Sequence, residues 1–499
     1  MLIGSARQFQ CAALGIVLLT VITRLPSLLH PQPINDEDVY SIVANEIVDG
    51  GRPYVDAVDR KPPLLFWTYA TVFEAAGKFN WKALHAVAVA WTLGTMAGLF
   101  VIGRRLFDRD TGLVAALLYG LFQPWAVANN LAFNGEVLMN LPIVWAWAIA
   151  LGPSLSRVRT ELLAAGALLC AAFLLKQPAA IAAVPLGIYL LLQSYRASRG
   201  LTRTASVTHA AMLTIGFFGT LGLVAIVLGK QGILGDAFYW TITNHTKQHV
   251  FWGVGILITL AFVAACLPLL IGAAMAWQDV SGVWARRSAE RTALFGLVAA
   301  SAIGTAAGAR FHPHYYIQLI LPLALLAAPH YAALWYRKTR PHHWLLRPTV
   351  TYVWLALTVI AFSITHWREL AQPKTSDTGR YLAMHSAPAD RIFVWGQAPR
   401  IYLDARRRPA CRYILTFPLT GYMFGKLVGV DTRDRIMPGA WNTLEQDFGK
   451  HPPVYIVDVQ HPAFNAQYPV QNFPILAKLL ESRYQPVAWT TEGVVYKMR

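Results

Sequence analysis

Three consecutive carboxylates, Asp36, Glu37 and Asp38, stand in the segment INDEDVY, shortly after the first long apolar stretch of the chain. If that stretch crosses a membrane, carboxylates at its edge are costly to bury and are usually functional. One of them could take the proton of a hydroxyl as a general base. The same residues could instead begin a helix, because Asn or Asp at the N-cap and acidic residues in the first turn are favourable there. The residues alone leave both interpretations open.

A second charged segment, DAVDRKPPLLFW, also leads directly into an apolar stretch. Lys61 follows Asp59 and Arg60 in this segment, and the rigid pair Pro62-Pro63 comes next. A lysine held close to carboxylates could neutralise a phosphate group. The alternative is a lysine whose ammonium group reaches the membrane interface along its flexible stem.

Two further acid–base residues lie at the edges of later apolar stretches. Glu136, in NLAFNGEVLMN, would be costly at the start of a membrane span unless it is paired or faces a cavity. Lys176, in KQP, is predicted to extend towards the membrane interface. Glu136 is therefore a candidate substrate-binding residue.

The segment RFHPHYY places Arg310, His314 and Tyr315 together between two apolar stretches. An arginine beside His and Tyr donors is suited to holding a phosphate group. His312 and His314 could ligate a metal, but no third ligand is evident nearby. A divalent metal is thus possible without a clear ligand set, and no cofactor is certain. HTKQH, residues 245–249, offers similar groups in a weaker context.

The composition indicates an integral membrane protein. Of the 499 residues, 55% are hydrophobic and only 14% are charged, whereas a soluble protein has roughly 25% charged residues. The net charge of +17 could indicate nucleic-acid binding. However, most basic residues lie in short clusters between apolar stretches, and no basic stripe is interleaved with aromatic residues. Nucleic-acid binding is therefore not expected.

A membrane-spanning helix needs about 20 apolar residues. This criterion predicts about eleven spans, near 9–29, 83–103, 111–129, 134–151, 160–175, 178–194, 206–228, 253–276, 293–309, 315–335 and 349–366. Basic residues are concentrated in alternate connections, which places those connections and the N-terminus in the cytoplasm. The carboxylates, Lys61 and RFHPHYY then face the outside.

The chain is predicted to consist of a transmembrane domain, residues 1–366, and an extracytoplasmic α/β domain, residues 367–499. In the first outer loop, about 30–82, EDVYSIVANEIVDGG and PLLFWTYATVFEAAG are predicted to form short helices on the membrane surface. The first has apolar residues at helical spacing, and Gly50-Gly51 is predicted to end it. The last segment contains two short β-branched stretches, an amphipathic helix and a terminal hairpin. Its cluster Arg406-Arg407-Arg408 with Arg412 indicates either a solvated surface or a contact with anionic headgroups or an anionic substrate.

An acidic pair with a Tyr after the first span, then GGRPYVDAVDRKPPLLFW and LGTMAGLFVIGRRLF, resembles bacterial proteins similar to dolichyl-phosphate-mannose protein mannosyltransferases. These are GT-C glycosyltransferases, as are the lipid A aminoarabinose transferases. The resemblance covers roughly residues 20–335. It implies a polytopic helical GT-C fold in a bacterial cytoplasmic membrane.

The resemblance also implies the activity: transfer of a sugar from a polyprenyl-phosphate donor to a hydroxyl of a glycan, glycolipid or protein on the outer face of the membrane. The catalytic carboxylate matches Asp36, with Glu37 beside it and Tyr40 at the usual distance. Lys61 of the Lys-Pro-Pro motif matches the donor-phosphate contact. Arg60 stands where the lipid A transferases have a glutamate, which puts any metal site built on that glutamate in doubt.

Arg310 and His314 match less directly, as further phosphate contacts, and Asp59, Glu136 and Tyr315 complete the predicted substrate-binding set. The residues independently suit an inverting transferase, because the departing phosphate needs cations and the incoming hydroxyl needs a base. A lipid or sugar transporter or flippase is the alternative, although paired halves are not evident in the sequence. A non-catalytic scaffold would leave the carboxylates and Lys61 unexplained.

Overall fold

The structure is a computed structural model, and it describes residues 6–152, 157–192, 203–246, 252–336, 348–421, 431–460 and 468–499. The chain divides into two compact units. The first comprises Met1–Ile34, Trp81–Val227 and Val250–Gln372, and the second comprises Asn35–Asn80, Leu228–His249 and Pro373–Arg499. The predicted boundary at residue 366 stays a prediction, because compactness does not show which residues enter a membrane.

The described part of the first unit is helical. Its helices are α1 (Ala6–Ile22), α2 (Leu25–Leu29), α5 (Trp81–Leu106), α6 (Arg109–Phe122), α7 (Gly135–Leu151), α8 (Val158–Leu175), α9 (Ala183–Leu191), α10 (Arg203–Lys230), α12 (Trp252–Ala265), α13 (Leu267–Gln278), α14 (Ser288–Ala306), α15 (Ile317–Tyr336) and α16 (Pro348–Leu370). Helix α15 packs against α6, α7, α13 and α14, so its largely buried side chains form much of the core of this unit.

Helices lie at each of the predicted spans, but fewer of these helices are long and apolar enough to cross a membrane. Four helices of the described residues are long and apolar enough to cross a membrane: Trp81–Leu106, Val158–Leu175, Arg203–Lys230 and Pro313–Leu334. A fifth results if α12 and α13 form one broken span. The chain is therefore a multi-pass membrane protein, and the count of eleven spans stays a prediction.

Two predicted spans are interrupted, each for a local reason. Helices α12 and α13 meet at a bend of 77°, where Pro268 lacks the amide that would continue the first helix. The first span breaks between α1 and α2 at Arg24, which is buried. Its guanidinium donates to the Thr20 carbonyl at 3.1 Å, so the charge is held by oxygen atoms that the helix end exposes.

The second unit combines short helices with a small sheet. Its described helices are α3 (Glu37–Val48), α4 (Pro63–Ala76), α11 (Leu234–Thr241), α17 (Asp377–His385), α18 (Arg400–Ala405), α19 (Phe417–Thr420), α20 (Ala440–Lys450) and α21 (Pro474–Arg483). Its described strands are β1 (Arg391–Trp395), β2 (Arg408–Pro409), β3 (Tyr455–Val459), β4 (Tyr484–Trp489) and β5 (Gly493–Met498).

The strands form one sheet in the order β2-β1-β3-β5-β4. Strands β2, β1 and β3 are parallel, while β5 is antiparallel to both of its neighbours. The central strands β1 and β3 are almost continuously apolar because both of their faces are covered. The predicted amphipathic helix and terminal hairpin correspond to α21 and to β4 with β5.

Helices α3 and α4 pack on each other through aromatic side chains in the second unit. Tyr40 lies edge-on to Tyr69, with 5.7 Å between the ring centroids. Helix α3 ends where Gly50-Gly51 was predicted to end it. Gly50 has φ +83°, a conformation that favours glycine, so the chain can turn away from the helix.

Candidate active site

Asp36 stands at the N-cap of α3, yet its carboxylate accepts no capping hydrogen bond from the described helix. Instead, the hydroxyl of Tyr40, one turn further on, donates to Asp36 Oδ2 at 3.2 Å. Asn35 has φ +52°, a left-handed conformation that Asn tolerates better than most residues. The sharp turn at Asn35 and the Tyr40 hydroxyl thus orient a half-exposed carboxylate, and simple capping does not account for its position.

Glu37 is placed differently from its neighbour, since its side chain is fully buried. The hydroxyl of Tyr69, on α4, donates a hydrogen bond to it. Burial raises the pKa of Tyr69 well above its usual value, and the charges of Glu37 and Asp36 add to this. Tyr69 therefore stays protonated and available as a donor. Of the two predicted catalytic carboxylates, only Asp36 is accessible to a substrate hydroxyl.

Asp38 connects α3 to α18 in the second unit. Arg400 Nε donates to Asp38 Oδ1 at 2.9 Å, and both side chains are about 15% exposed. Burial raises the pKa of Asp38 to about 7, although the Arg400 charge opposes that shift. The carboxyl group therefore titrates near neutral pH. Its pairing with Arg400 fixes the first turn of α3, where Asp36 lies.

The raised pKa of Asp38 predicts a pH-dependent stability. A folded-state pKa of about 7 lies above the ordinary value of 3.8. The folded protein therefore binds the extra proton, and its stability falls as the pH rises from about 4 to about 7. Asn at position 38 does not titrate, so the Tm of Asp38→Asn minus the Tm of the unmodified protein should increase as the pH rises over that range. Thermal unfolding of both proteins between pH 4 and 8 tests this prediction. A difference in Tm between the two proteins that stays constant over that range would contradict it.

Lys61 is fixed at the entry to α4. The hydroxyl of Tyr54 donates to the Lys61 carbonyl at 2.7 Å, and Pro62 and Pro63 begin the helix without needing amide partners. Lys61 Nζ lies 5.8 Å from the centroid of the Tyr40 ring, within the range of a cation–π contact. Tyr40 is thus shared: its hydroxyl contacts the Asp36 carboxylate and its ring contacts the Lys61 ammonium group.

Asp59 lies two residues before Lys61 and is half-buried. Its Oδ2 atom is buried and accepts no hydrogen bond from the residues that the structure describes. Burial raises the pKa of Tyr54 well above its usual value, and the charge of Asp59 contributes. An acceptor oxygen that is buried without a donor is available to accept a hydrogen bond from a ligand hydroxyl.

The first unit brings a second set of predicted residues together. Lys176 donates to Glu136 Oε1, and both side chains are buried. The prediction that Lys176 extends to the membrane interface is therefore wrong, because the lysine neutralises a buried carboxylate. Lys176 Nζ also lies 4.4 Å from the centroid of the Tyr315 ring. Glu136, Lys176 and Tyr315 thus form one cluster.

The segment RFHPHYY adds His314 and Arg310 in the same unit. His314 Nδ1 is 2.8 Å from Asn129 Nδ2, and its ring packs edge-on against Tyr315. Arg310 is largely buried, between Ala309 and Phe311, which both have φ near +50°. Non-glycine residues hold such conformations only where the surroundings impose them, and they are frequent at functional sites.

The sequence did not decide whether the protein has a metal site. Across the described ranges, no three His, Cys, Asp or Glu side chains are grouped closely enough to hold a metal ion. In HTKQH, residues 247–249 and the side chain of His245 lie outside the described residues.

The basic cluster at 406–408 with Arg412 does not behave as a single surface. Arg408 donates to both oxygens of Glu46, at 2.8 and 2.5 Å, and Arg412 donates to both oxygens of Asp447, at 2.9 and 2.8 Å. The interpretation as a solvated surface is wrong for these two residues. Arg406 alone is exposed.

Sequence analysis missed several residues that position the predicted ones. Tyr54 and Tyr69 orient the Lys61 backbone and the Glu37 carboxylate, and nothing in their spacing indicates this. Arg400 lies 362 residues from its partner Asp38, beyond the reach of any local pattern. The pairing of Lys176 with Glu136 could have been predicted, because the start of α7 and the end of α8 lie at the same level in an antiparallel helix pair.

Comparison with known proteins identifies other chains with this fold. Residues 60–221 match the family model described as dolichyl-phosphate-mannose-protein mannosyltransferase. The crystal structure of ArnT from Cupriavidus metallidurans bound to undecaprenyl phosphate is similar over 97% of this chain and 97% of that chain, with a TM-score of 0.62 and 13% identity.

The resemblance to the GT-C glycosyltransferases is confirmed. The oligosaccharyltransferase of Archaeoglobus fulgidus, tethered to an acceptor peptide, aligns over 96% of this chain and 74% of that chain, with a TM-score of 0.53 and 14% identity. The same archaeal enzyme in complex with an inhibitory peptide and a dolichol-phosphate gives a TM-score of 0.52 at 12% identity, with the same coverage. At such identities the shared property is the GT-C fold. Comparison with curated protein sequences gives no significant match.

Proposed function

We propose that this protein is an inverting glycosyltransferase that moves a sugar from a polyprenyl-phosphate donor to an acceptor hydroxyl. One observation carries the proposal: the Asp36 carboxylate and the Lys61 ammonium group both contact Tyr40. A base and a cation held by one side chain are what a single displacement at a sugar phosphate requires.

In the proposed reaction, Asp36 takes the proton of the acceptor hydroxyl as its oxygen attacks the anomeric carbon. The bond from that carbon to the phosphate oxygen breaks, and the electron pair leaves with the polyprenyl phosphate. Lys61, at the positively polarised N-terminus of α4, neutralises the departing phosphate. A single displacement inverts the anomeric configuration.

The other predicted residues take supporting roles. Glu37 is buried next to Asp36 and accepts the hydrogen bond from Tyr69, while Asp59 offers an acceptor oxygen for a sugar hydroxyl. Arg310, His314 and Tyr315 are proposed as further contacts of the lipid phosphate. Arg60 at the position before Lys61 adds a cation where a metal-binding glutamate would otherwise stand.

Two solved structures with the same fold support a lipid-phosphate donor. The ArnT structure contains undecaprenyl phosphate, and one structure of the archaeal oligosaccharyltransferase contains dolichol-phosphate. The distribution of basic residues supports a reaction on the outer face of a bacterial cytoplasmic membrane. The acceptor is a glycan, a glycolipid or a protein.

A membrane assay with a panel of radiolabelled polyprenyl-phosphate sugars tests the proposal. Membranes that contain the protein should transfer label from at least one donor to an endogenous acceptor, with an inverted anomeric linkage in the product. Membranes of the same strain without the protein are the control for background transfer.

Release of label as free sugar, or movement of intact donor across the membrane without transfer, would contradict the proposal. The second result would favour a flippase. A product with retained configuration would exclude the single displacement, although not the transferase activity.

A further inference from the structure

The second unit contains a polar cavity that the proposed reaction does not use. Its volume is about 80 Å³, whereas a water molecule needs only roughly 10–15 Å³ on this measure. Four cationic and two acidic side chains line it, which gives a net charge of +2: Lys78, Arg406, Arg407, Arg408, Glu46 and Asp49. The cavity therefore has room for a small polar group and attracts a negative one.

The acidic residues of this cavity are already neutralised. Lys78 pairs with Asp49 at 2.6 Å, and Arg408 pairs with both oxygens of Glu46. The guanidinium of Arg407 is bound by backbone carbonyls and a serine hydroxyl. The guanidinium of Arg406 makes no hydrogen bond or ion pair with any residue that the structure describes, and it contacts the Phe79 ring at 5.6 Å from the ring centroid. The excess charge of the cavity thus resides on Arg406 and Arg407. The donors of Arg407 are already engaged, so Arg406 is the cation available to a ligand.

Arg406 also has an unusual backbone. It caps the C-terminus of α18 with φ +52°, a left-handed position that glycine normally occupies. An arginine at this position costs stability relative to glycine, and such strained residues are frequently functional. Ligand binding by the guanidinium would offset this cost.

Asn45 provides an independent observation in the same cavity. Its side chain is 7% exposed, and both its amide nitrogen and its amide oxygen lack hydrogen-bond partners among the described residues. A buried amide without partners costs free energy that a ligand could recover. The amide nitrogen would donate to an anionic oxygen.

We propose that this cavity, which we call the Arg406 cavity, binds a phosphate or carboxylate group, with Arg406 as the charged anchor and Asn45 as a donor. Nine residues at 3.6 per turn place Asn45 on about the opposite side of α3 from Asp36. The Arg406 cavity is therefore distinct from the donor site. Its occupation does not depend on transferase activity, so binding can be measured even if the proposed reaction is wrong.

Thermal unfolding of the full chain in phosphatidylcholine nanodiscs tests this, with inorganic phosphate titrated against chloride at equal ionic strength. Phosphate should raise the Tm of the unmodified protein saturably. Arg406→Gly should leave the Tm without phosphate unchanged or higher, because glycine suits the left-handed position. It should weaken phosphate binding by about tenfold or more, since one charge-assisted hydrogen bond is lost. Asn45→Leu, which removes the unpaired amide at similar size, should also weaken binding.

Arg433→Gln is the matched control. It removes the same charge from the same unit, and Arg433 is highly exposed and lies outside the cavity. This variant should respond to phosphate as the unmodified protein does. The proposal would be overturned if phosphate raised the Tm of Arg406→Gly as much as it raises that of the unmodified protein. It would also be overturned if Arg433→Gln weakened phosphate binding as much as Arg406→Gly does.

Nanodiscs that contain phosphatidylglycerol, without added phosphate, identify the source of the anionic group. A Tm rise that Arg406→Gly abolishes would identify a lipid headgroup as the ligand. A response to soluble phosphate alone would identify a soluble anionic ligand. If neither phosphate nor phosphatidylglycerol changes the Tm of the unmodified protein, the Arg406 cavity is not an anion site.

Discussion

Asp36→Asn is expected to lower the rate of sugar transfer by about 10²–10⁴-fold, the usual contribution of a general base. Asparagine has the same shape, and its side-chain oxygen can still accept the hydrogen bond from Tyr40. It cannot take a proton from the acceptor hydroxyl. The variant should therefore insert, accumulate and bind the lipid donor normally while losing transfer. Initial rates with the active donor, at equal amounts of membrane-inserted protein, measure the effect.

Two matched variants separate the base from its surroundings. Asp38→Asn removes a neighbouring carboxylate that pairs with Arg400, and it should retain most of the transfer activity at neutral pH. Tyr40→Phe keeps the ring that contacts Lys61 but removes the hydroxyl that orients Asp36. Its loss of transfer rate should therefore be clearly smaller than that of Asp36→Asn. Near-normal transfer by Asp36→Asn would remove this residue as the base, whatever the other two variants do.

Local sequence patterns predicted the parts of the site that lie within a few residues of one another. The carboxylates, the apolar spacing and Gly50-Gly51 located α3, and the Lys-Pro-Pro motif located the start of α4. The spacing of Asp36 and Tyr40 is one helical turn, so their contact follows once α3 is a helix. These features depend on backbone geometry, and a single sequence contains that information.

Contacts between distant segments were not predictable in the same way. The pairing of α3 with the last segment of the chain depends on Arg400 and Arg408, each 362 residues from its carboxylate partner. One sequence without relatives carries no signal for such pairs. The basic cluster at 406–408 shows the consequence: three consecutive arginines have three different environments, which only the fold distinguishes.

The contact between Glu136 and Lys176 lies between these two cases, because it joins neighbouring helices of the chain. Its contribution to stability can be tested by mutation. Lys176→Met should destabilise the protein by about 3–5 kcal/mol, because it leaves a buried carboxylate without its cation. Glu136→Gln should be destabilising for the corresponding reason. The double variant Glu136→Gln/Lys176→Met should recover much of the loss, since neither charge then remains. Unfolding of the four proteins in the same detergent gives the coupling free energy of the pair.

The pair of Lys78 and Asp49 is the matched control, because both of its side chains are partly exposed. Its coupling free energy should be about 0–1 kcal/mol, as is usual for surface ion pairs. An equally small coupling free energy for Glu136 and Lys176 would contradict the prediction that the two residues stabilise each other as a buried ion pair. The double variant also distinguishes the two roles of Glu136. A stable protein that no longer transfers sugar would indicate that Glu136 contacts the substrate, whereas a stable and active one would restrict it to holding Lys176.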